Sequence, residues 1–306
     1  MPSQISNNET IESAHQAVHS INPFKSGDSS REAVLTYKIG TALSWLLLLI
    51  TSVYYTFARP HDGGNGRKDR HTIWGQNDLH PTAFALNSVI VSIYWIVLYI
   101  LQIGYSWHLY SGNSVYVTAA ATVGSHFILN NLFLFAFIML WVRSYFWIAE
   151  LILALNFINL STAYFNHSKT PRWIHIAVVS APLAWNFVAL YWAGAAAINP
   201  NGHSLVARIV ANIFVWGILT YGAFFLAAYK DYTMGFELSI LAAALGVGQF
   251  LTKTIAFQWI FAFVIMSVLF VLSLAVGIPG LLGQDPIKRG QIVSEDRERA
   301  PLLADD

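Results

Sequence analysis

The chain has 306 residues, of which 56% are hydrophobic and only 11% carry a charged side chain. Soluble domains carry about 25% charged residues, so this composition excludes an ordinary soluble protein and indicates a polytopic membrane protein. The net charge of +1 gives no reason to expect a nucleic-acid partner, and the lack of cysteine excludes disulfides, thiolate catalysis, cysteine zinc sites and iron–sulfur clusters.

The N-terminal segment, residues 1–34, is polar and lacks the order of charged and then apolar residues that marks a signal peptide. We predict that it forms a disordered cytosolic tail. It contains Asn22-Pro23-Phe24, which resembles the tripeptide that endocytic adaptor domains bind.

Eight segments between residues 35 and 282 have the roughly 20 mostly apolar residues that a membrane-spanning helix needs. They are residues 36–57, 83–106, 115–141, 144–165, 174–197, 205–229, 233–252 and 255–279. The sequence therefore predicts an all-α, polytopic integral membrane helix bundle with about eight transmembrane helices. The count falls to seven if 233–252, which is short and rich in small residues, does not cross the membrane. The longest connection, residues 58–81, is rich in glycine, proline and charge, and we expect it to lie outside the membrane.

A polar cluster interrupts the third predicted span at "GSHFILNNL", residues 124–132. His126 and Asn130 are four residues apart and so share one helix face. Polar side chains are costly against lipid, so these groups should point into the bundle. Two interpretations stay open. The polar groups are hydrogen-bonded glue between helices, or several of them converge on a cavity that holds a ligand or passes a solute.

The fifth predicted span carries Pro182, Trp185 and Trp192. The two tryptophans are seven residues apart and therefore lie on one side of a helix. A proline frees backbone carbonyl groups in the preceding turn, and such a bend often borders a cavity. Trp185 and Trp192 are thus candidates for the wall of a pocket for flat apolar ligands, with aromatic packing between helices as the alternative.

The C-terminal segment, residues 283–306, returns to a charged composition and is predicted to be a disordered cytosolic tail. Glu298 is followed four and five residues later by Leu302 and Leu303. This spacing resembles the acidic dileucine signals that clathrin adaptor complexes read on lysosomal and vacuolar membrane proteins. It predicts clathrin adaptors as partners and the vacuolar or late-endosomal membrane as the destination. The alternative is a solvated charged tail that contains two leucines.

The orientation in the membrane follows from charge and from these tail motifs. With eight spans, both tails lie on one side, which collects ten Lys and Arg residues against seven on the other. Glycosylation sequons at Asn8 and Asn166 fall on the tail side and argue for a luminal location of that side. We predict cytosolic tails, because the charge bias and both tail motifs agree on it.

Motifs of known catalytic chemistry are missing from the sequence. There is no HExxH, Walker loop, GxSxG or dinucleotide fingerprint. His71 and His80, in the longest loop, are interpreted as solvated rather than as metal ligands. Glu150 and Glu237 are expected near helix starts, where the helix dipole favours a carboxylate. We therefore predict no catalytic residues, no metal site and no cofactor, and a protein that is not an enzyme.

Four phrases in the membrane-spanning region carry a resemblance to a known family. They are "TIWGQNDLHPTAFALNSVIVSIYWIVLYILQIGY", "VGSHFILNNL", "PLAWNFVALYW" and "YKDYTMGFELSILAAALGVGQF". These phrases resemble a fungal family of multi-pass membrane proteins of unknown function, and the likeness covers about residues 22 to 280. It implies a fold and membrane residence, and it supplies no activity or catalytic residues.

A second pattern combines a proline and aromatics ahead of the second span, an asparagine and aromatics in the third, and a proline followed by tryptophan in a later one. The positions are Pro81, Phe84, Trp95, Asn130, Pro182, Trp185 and Trp192. This pattern is similar, more distantly, to that of the translocator, or tryptophan-rich sensory, proteins. The resemblance implies binding of a porphyrin or another flat lipophile rather than turnover. The chain departs from the compact five-helix members by having more spans.

Two functional hypotheses follow. In the first, the protein binds or transports a small lipophilic molecule, porphyrin-like or sterol-like, and His126, Asn130, Trp185 and Trp192 line the site. In the second, it is a non-enzymatic structural or adaptor-type membrane protein of the endomembrane system that recruits trafficking partners through its tails. The expected partners are the lipid bilayer, a small lipophilic ligand and clathrin adaptor complexes.

Overall fold

The computed structural model describes residues 31–62, 70–111, 114–167, 170–198, 205–252 and 257–281. These ranges contain helices and no strand. The helices are α1 Arg31–Phe57, α2 Ile73–Leu79, α3 Ser88–Leu109, α4 Ser114–Thr122, α5 Gly124–Trp141, α6 Phe146–Asn166, α7 Arg172–His175, a π-helical turn Ile176–Ser180, α8 Ala181–Ile198, α9 Leu205–Phe214, α10 Trp216–Tyr229, α11 Tyr232–Thr252 and α12 Gln258–Leu281. The Asn22-Pro23-Phe24 motif and the dileucine motif at Glu298, Leu302 and Leu303 lie outside the described residues.

Eight stretches of these helices are long and apolar enough to cross a membrane. They are Leu35–Phe57, Ser88–Leu109, Gly124–Trp141, Phe146–Asn166, Arg172–Ile198, Ile209–Tyr229, Tyr232–Thr252 and Gln258–Pro279, called here the first to eighth spans. The prediction of an all-α bundle with eight membrane-spanning helices is confirmed, and the seventh span is among them. The membrane side that carries residues 58–62 and 70–87 is called the loop side.

The fifth and seventh spans form the centre of the bundle. In the most apolar 18-residue stretch of these two spans, 78% and 67% of the residues are buried. The corresponding share in the other six spans is 22–44%. Small residues in the seventh span let neighbouring backbones and rings approach closely. A side chain added at Gly246, for example, would start 3.1 Å from the Phe263 ring. The small residues, which make this segment an uncertain membrane span in the sequence, therefore allow it to pack at the centre of the bundle.

The second span begins later than predicted. Residues 80–87 are not a helix but an irregular segment, and Thr82 to Leu86 are buried. The helix starts after Asn87, whose side chain accepts a hydrogen bond from the Ile90 N–H at 3.1 Å. The expectation that the membrane helix starts at 83 is therefore wrong.

Side chains outside this irregular segment satisfy its backbone. Gln249 Nε2 donates to the carbonyl groups of Thr82 at 3.0 Å and Ala85 at 3.1 Å. Asn77 and Leu86 exchange two hydrogen bonds, of 3.0 and 3.1 Å. Irregular backbone is tolerated inside a membrane protein where the protein itself pairs its polar groups, and that condition is met here.

Three predicted spans also contain breaks. The third predicted segment consists of α4 and α5, which meet at Val123, and the sixth consists of α9 and α10, which meet at Val215. In the fifth, the π-helical turn comes just before Pro182, as the missing N–H of proline leads us to expect. The Tyr94 hydroxyl donates to the Ala181 carbonyl at 2.7 Å, so a neighbouring span pairs a carbonyl group at this irregularity.

Candidate functional site

A cavity of about 260 Å³ lies towards the loop side, between the first, second, third and fifth spans. We call it the tryptophan cavity, because four tryptophans line it. Its aromatic wall consists of Trp74, Trp95, Tyr99, Phe137, Trp185 and Trp192. Two of the predicted site residues, Trp185 and Trp192, therefore meet at one cavity, and Trp95 of the second predicted pattern joins them.

The four tryptophans form a continuous wall. The Trp95 and Trp185 rings meet edge to face with centroids 5.6 Å apart, and Trp185 lies 6.0 Å from Trp192. Trp74 continues the wall at 6.0 Å from Trp192. Trp192 is fixed in turn by its indole N–H, which donates to Asn77 Oδ1 at 3.0 Å. Flat aromatic faces held in fixed positions suit a flat apolar ligand.

The short helix α2 closes the cavity on the loop side. Ile73 and Trp74 line the cavity from α2, and Gln76 is completely buried behind them. Gln76 Nε2 donates to the Trp141 carbonyl at 3.0 Å, and the Trp141 indole N–H donates to the Ile73 carbonyl at 3.1 Å. The helix α2 therefore packs into the bundle. That residues 58–81 lie outside the membrane stays a prediction.

One corner of the tryptophan cavity is polar. Ser52 Oγ donates to the Leu48 carbonyl at 2.7 Å, so its oxygen accepts the hydrogen bond from the Tyr99 hydroxyl at 2.8 Å. The Tyr99 oxygen can then accept one further hydrogen bond, from a group inside the cavity. The described residues that line the cavity include no charged side chain.

His126 and Asn130 belong instead to a network of asparagine side chains that joins three spans. His126 Nδ1 lies 2.8 Å from Asn159 Oδ1, and Asn159 Nδ2 donates to the His126 carbonyl at 3.0 Å. Asn156 Nδ2 donates to Asn130 Oδ1 at 3.0 Å and to Asn186 Oδ1 at 2.9 Å. Each of these asparagines makes hydrogen bonds through both the oxygen and the nitrogen of its side-chain amide. This arrangement is typical of polar side chains that hold neighbouring helices together.

The structure thus separates the four predicted site residues into two pairs. Trp185 and Trp192 line the tryptophan cavity, whereas His126 and Asn130 are not among the described residues that line it. A contact from His126 or Asn130 to a ligand stays a prediction.

A buried polar group on the side opposite the loop side was missed by sequence reasoning. Asp231 Oδ2 accepts a hydrogen bond from the Tyr164 hydroxyl at 2.8 Å and lies 3.1 Å from His175 Nε2. Asp231 Oδ1 accepts from the backbone N–H groups of Thr233 and Met234, both at 3.1 Å, and so caps the seventh span. An aspartate just before an apolar helix is the sequence signal that could have identified this cap.

The electrostatics of Asp231 are set by these partners. Burial alone would raise the pKa of Asp231, but the hydrogen bond and positive charge of His175, with the hydrogen bonds from Thr233 and Met234, outweigh it and hold the pKa at about 2. Asp231 is therefore a structural anion that joins the fourth, fifth and seventh spans.

A second carboxyl group lies deeper in the same region. Glu237 is 8% exposed, and its Oε1 accepts a hydrogen bond from Ser180 Oγ at 3.0 Å. Glu237 lies beyond the first turn of α11, and Glu150 lies beyond the first turn of α6. Both carboxylates therefore lie near helix starts, as expected, but beyond the first turn, within which the effect of the helix dipole falls off.

A comparison with protein families identifies one relationship. A family model described as "Fungal protein of unknown function (DUF1774)" matches residues 208–303, from the sixth span into the C-terminal segment. No curated protein and no solved structure matches the chain. The predicted likeness upstream of residue 208, and the likeness to translocator proteins, stay predictions. The resemblance to a fungal family of unknown function is confirmed over residues 208–303.

Proposed function

We propose that this membrane protein binds a flat, uncharged lipophile with a single hydroxyl group, a sterol-like molecule, in the tryptophan cavity. The observation that carries the proposal is the wall of four tryptophans beside the hydroxyl group of Tyr99. Binding rather than catalysis is proposed, because the described lining residues offer no nucleophile paired with a base.

The aromatic wall of the tryptophan cavity supports a ligand that has a rigid ring system. The tryptophan rings that line the cavity contact one another at fixed distances, and a rigid ligand loses little conformational entropy when it lies against them. At about 260 Å³, the cavity is smaller than most sites for drug-sized molecules, which are roughly 300–1,000 Å³. We therefore expect one part of the ligand to fill the cavity while the rest extends into lipid.

The described residues that line the tryptophan cavity carry no charge. This property distinguishes between the two ligand classes that the sequence suggests, porphyrin-like and sterol-like molecules. A porphyrin with carboxylate groups would bring negative charge into the cavity, and burying such charge without a partner is costly. The described lining residues supply no Lys or Arg to pair with it. A sterol-like molecule needs only one acceptor for its hydroxyl group, and the Tyr99 oxygen supplies that acceptor.

The rim of the cavity supports entry from the bilayer. Val53 and Phe57 of the first span and Ile96 of the second line the cavity and are 52%, 83% and 58% exposed. An opening with an apolar rim between two spans admits a molecule that is already dissolved in the membrane. This route favours a protein that binds or moves a membrane lipid.

We test this proposal with dehydroergosterol, a fluorescent sterol, titrated into nanodiscs that contain the protein. Bound sterol should accept energy from the cavity tryptophans and give saturable emission on tryptophan excitation. Ser92→Phe fills the cavity and is expected to weaken binding about tenfold or more. Val97→Phe on the same helix adds the same ring to a 51% exposed position outside the described lining and should leave binding unchanged.

Equal titrations for the two variants would refute the proposal. So would a wild-type protein that transfers no energy to the sterol. Protoporphyrin serves as the comparison ligand, and saturable binding of protoporphyrin that Ser92→Phe weakens while sterol does not bind would favour the porphyrin class instead.

We further propose that the spacing of Glu298, Leu302 and Leu303 directs the protein to the vacuolar or late-endosomal membrane through clathrin adaptors, with both tails in the cytosol. The proposal rests on the sequence pattern alone. A fluorescent fusion with Leu302→Ala and Leu303→Ala should stay on earlier membranes or at the cell surface. Arrival of this variant at the vacuole would show that the motif is not the signal.

A further inference from the structure

A second cavity, of about 380 Å³, lies on the loop side away from the tryptophan cavity. It is bounded by the irregular segment, the fourth span, the end of the fifth span and α9. Its walls are almost wholly apolar, and its described lining residues include Glu150, Gly194, Ile198, Val210, Ala211 and Phe214. We call it the Glu150 cavity, because Glu150 is the one acidic residue among these described lining residues.

The carboxyl group of Glu150 is not paired within the described part of the chain. Its Oε2 atom is buried and makes no hydrogen bond to any described residue. Gly194 of the fifth span leaves room for the group, since a side chain there would begin 3.3 Å from Glu150 Oε1. The described lining residues include no Lys, Arg or His.

A buried carboxyl group without a partner is costly, whether it stands as an unpaired ion or as an acid without an acceptor. Ionisable residues inside a membrane protein are rare, and they commonly mark a site for an ion, proton or ligand. The tryptophan cavity offers a neutral hydroxyl oxygen, whereas the Glu150 cavity offers a carboxyl oxygen that no described residue pairs. The group that fits a carboxylate best is an ammonium ion.

The position of Glu150 fits the head group of a lipid-like molecule. Glu150 is four residues beyond Phe146, where the fourth span begins on the loop side, which is roughly 6 Å along the helix axis. Ile198, Val210 and Phe214 at the rim are 71%, 43% and 56% exposed. A hydrocarbon chain can therefore run from the cavity into the bilayer while a polar end meets Glu150.

We propose that the Glu150 cavity binds a long-chain primary amine, whose ammonium group is paired by the Glu150 carboxylate and whose hydrocarbon chain lies against the apolar wall. This site is separate from the tryptophan cavity and takes a cationic rather than a neutral ligand. It goes beyond the proposed sterol function and does not depend on it.

The test compares three probes that share one chain length: dodecylamine, dodecanol and dodecanoate. Each is added to nanodiscs that contain the full chain, and an apparent affinity is taken from the rise of the melting temperature with concentration. The amine is expected to bind about tenfold more tightly than the alcohol, because a charge-assisted hydrogen bond replaces a neutral one. The carboxylate is expected to give no stabilisation, since like charges repel.

Two variants decide whether Glu150 and this cavity are responsible. Glu150→Gln keeps the size of the side chain and should reduce the preference for the amine to that for the alcohol, while Glu150→Asp should retain part of it. Ala211→Leu narrows the cavity without changing its charge and should weaken the amine and the alcohol together. Ser92→Phe, which blocks the tryptophan cavity, should leave the amine effect intact.

An amine preference that survives Glu150→Gln would overturn the proposal. Equal stabilisation by amine and alcohol in the wild-type protein would overturn it as well. If Ala211→Leu does not fold, Glu150→Gln alone still decides, because its expected effect is on the preference between probes and not on the stability of the free protein.

Discussion

Replacement of Asp231 by Asn is expected to lower the free energy of unfolding by about 3 kcal/mol, because several hydrogen bonds to a carboxylate are lost and each such bond contributes roughly 1.5–3 kcal/mol. Asp231 and His175 have side chains that are only 10% and 9% exposed, so water cannot replace the lost partner. The amide keeps the shape of the carboxylate, which confines the change to charge and hydrogen bonding. The measurement is steric trapping in bicelles, which reports unfolding free energy in a membrane-like setting.

The Asp231→Asn substitution is also expected to change how the stability of the protein depends on pH in acid. The folded-state pKa of Asp231, about 2, is below its usual value of 3.8, so the group stabilises the fold fully above pH of about 4. This contribution is lost as the pH falls towards 2, where the folded state also takes up the proton. The wild-type melting temperature should therefore fall over this interval by more than that of Asp231→Asn.

Asp62→Asn is the matched control for Asp231→Asn. Asp62 also makes ion pairs, at 2.9 Å to Arg70 and at 2.9 Å to Arg143, but its side chain is 54% exposed. Water and salt screen such pairs, so this substitution should change stability little. Equal losses for the two substitutions would contradict the account of Asp231 as a buried structural anion.

Gly248→Ala is the second substitution with a large expected effect, also about 3 kcal/mol, because no neighbouring side chain can move aside. A Cβ at this position would lie 2.7 Å from the Ala85 carbonyl oxygen, 2.9 Å from the Asn87 nitrogen and 2.9 Å from the Leu86 carbonyl carbon. All three are backbone atoms of the irregular segment. That segment is held by hydrogen bonds from Asn77 and Gln249, so it cannot withdraw without breaking them.

Gly104→Ala provides the control for Gly248→Ala. A Cβ at Gly104 would meet nothing within 4 Å, and alanine is favoured over glycine inside a helix. Stability should be unchanged or slightly higher, by the same steric-trapping measurement. A loss at Gly104 as large as that at Gly248 would show that glycine flexibility, and not close packing of the irregular segment, is what matters in these spans.

The number of spans could be predicted because hydropathy is a local property. Each membrane helix satisfies its own backbone, so roughly 20 apolar residues suffice to identify one. The irregular segment could not be predicted in the same way. Its Pro81 and Asn87 are typical of a loop, and its burial depends on Gln249, which is 167 residues from Thr82 in the chain.

The candidate site, too, could be predicted only where its residues are close together in the sequence. The seven-residue spacing of Trp185 and Trp192 places both rings on one helix side, and the structure has both lining one cavity. Trp74 and Ser52 come from other elements and carry no local signal of their role. The spacing of His126 and Asn130 likewise predicts a shared face, but whether that face is glue or a ligand site depends on the asparagines of neighbouring spans.

The most direct test of the central claim, that the tryptophan cavity binds a sterol-like lipophile, is photo-crosslinking with a diazirine-bearing sterol in nanodiscs, mapped by mass spectrometry. We predict labelling concentrated in residues 48–57 and 91–99, which line the cavity from the first two spans. Unlabelled sterol should compete for it, and Ser92→Phe should remove it. Labelling spread over the lipid-exposed residues of all eight spans, without competition, would contradict the proposed function.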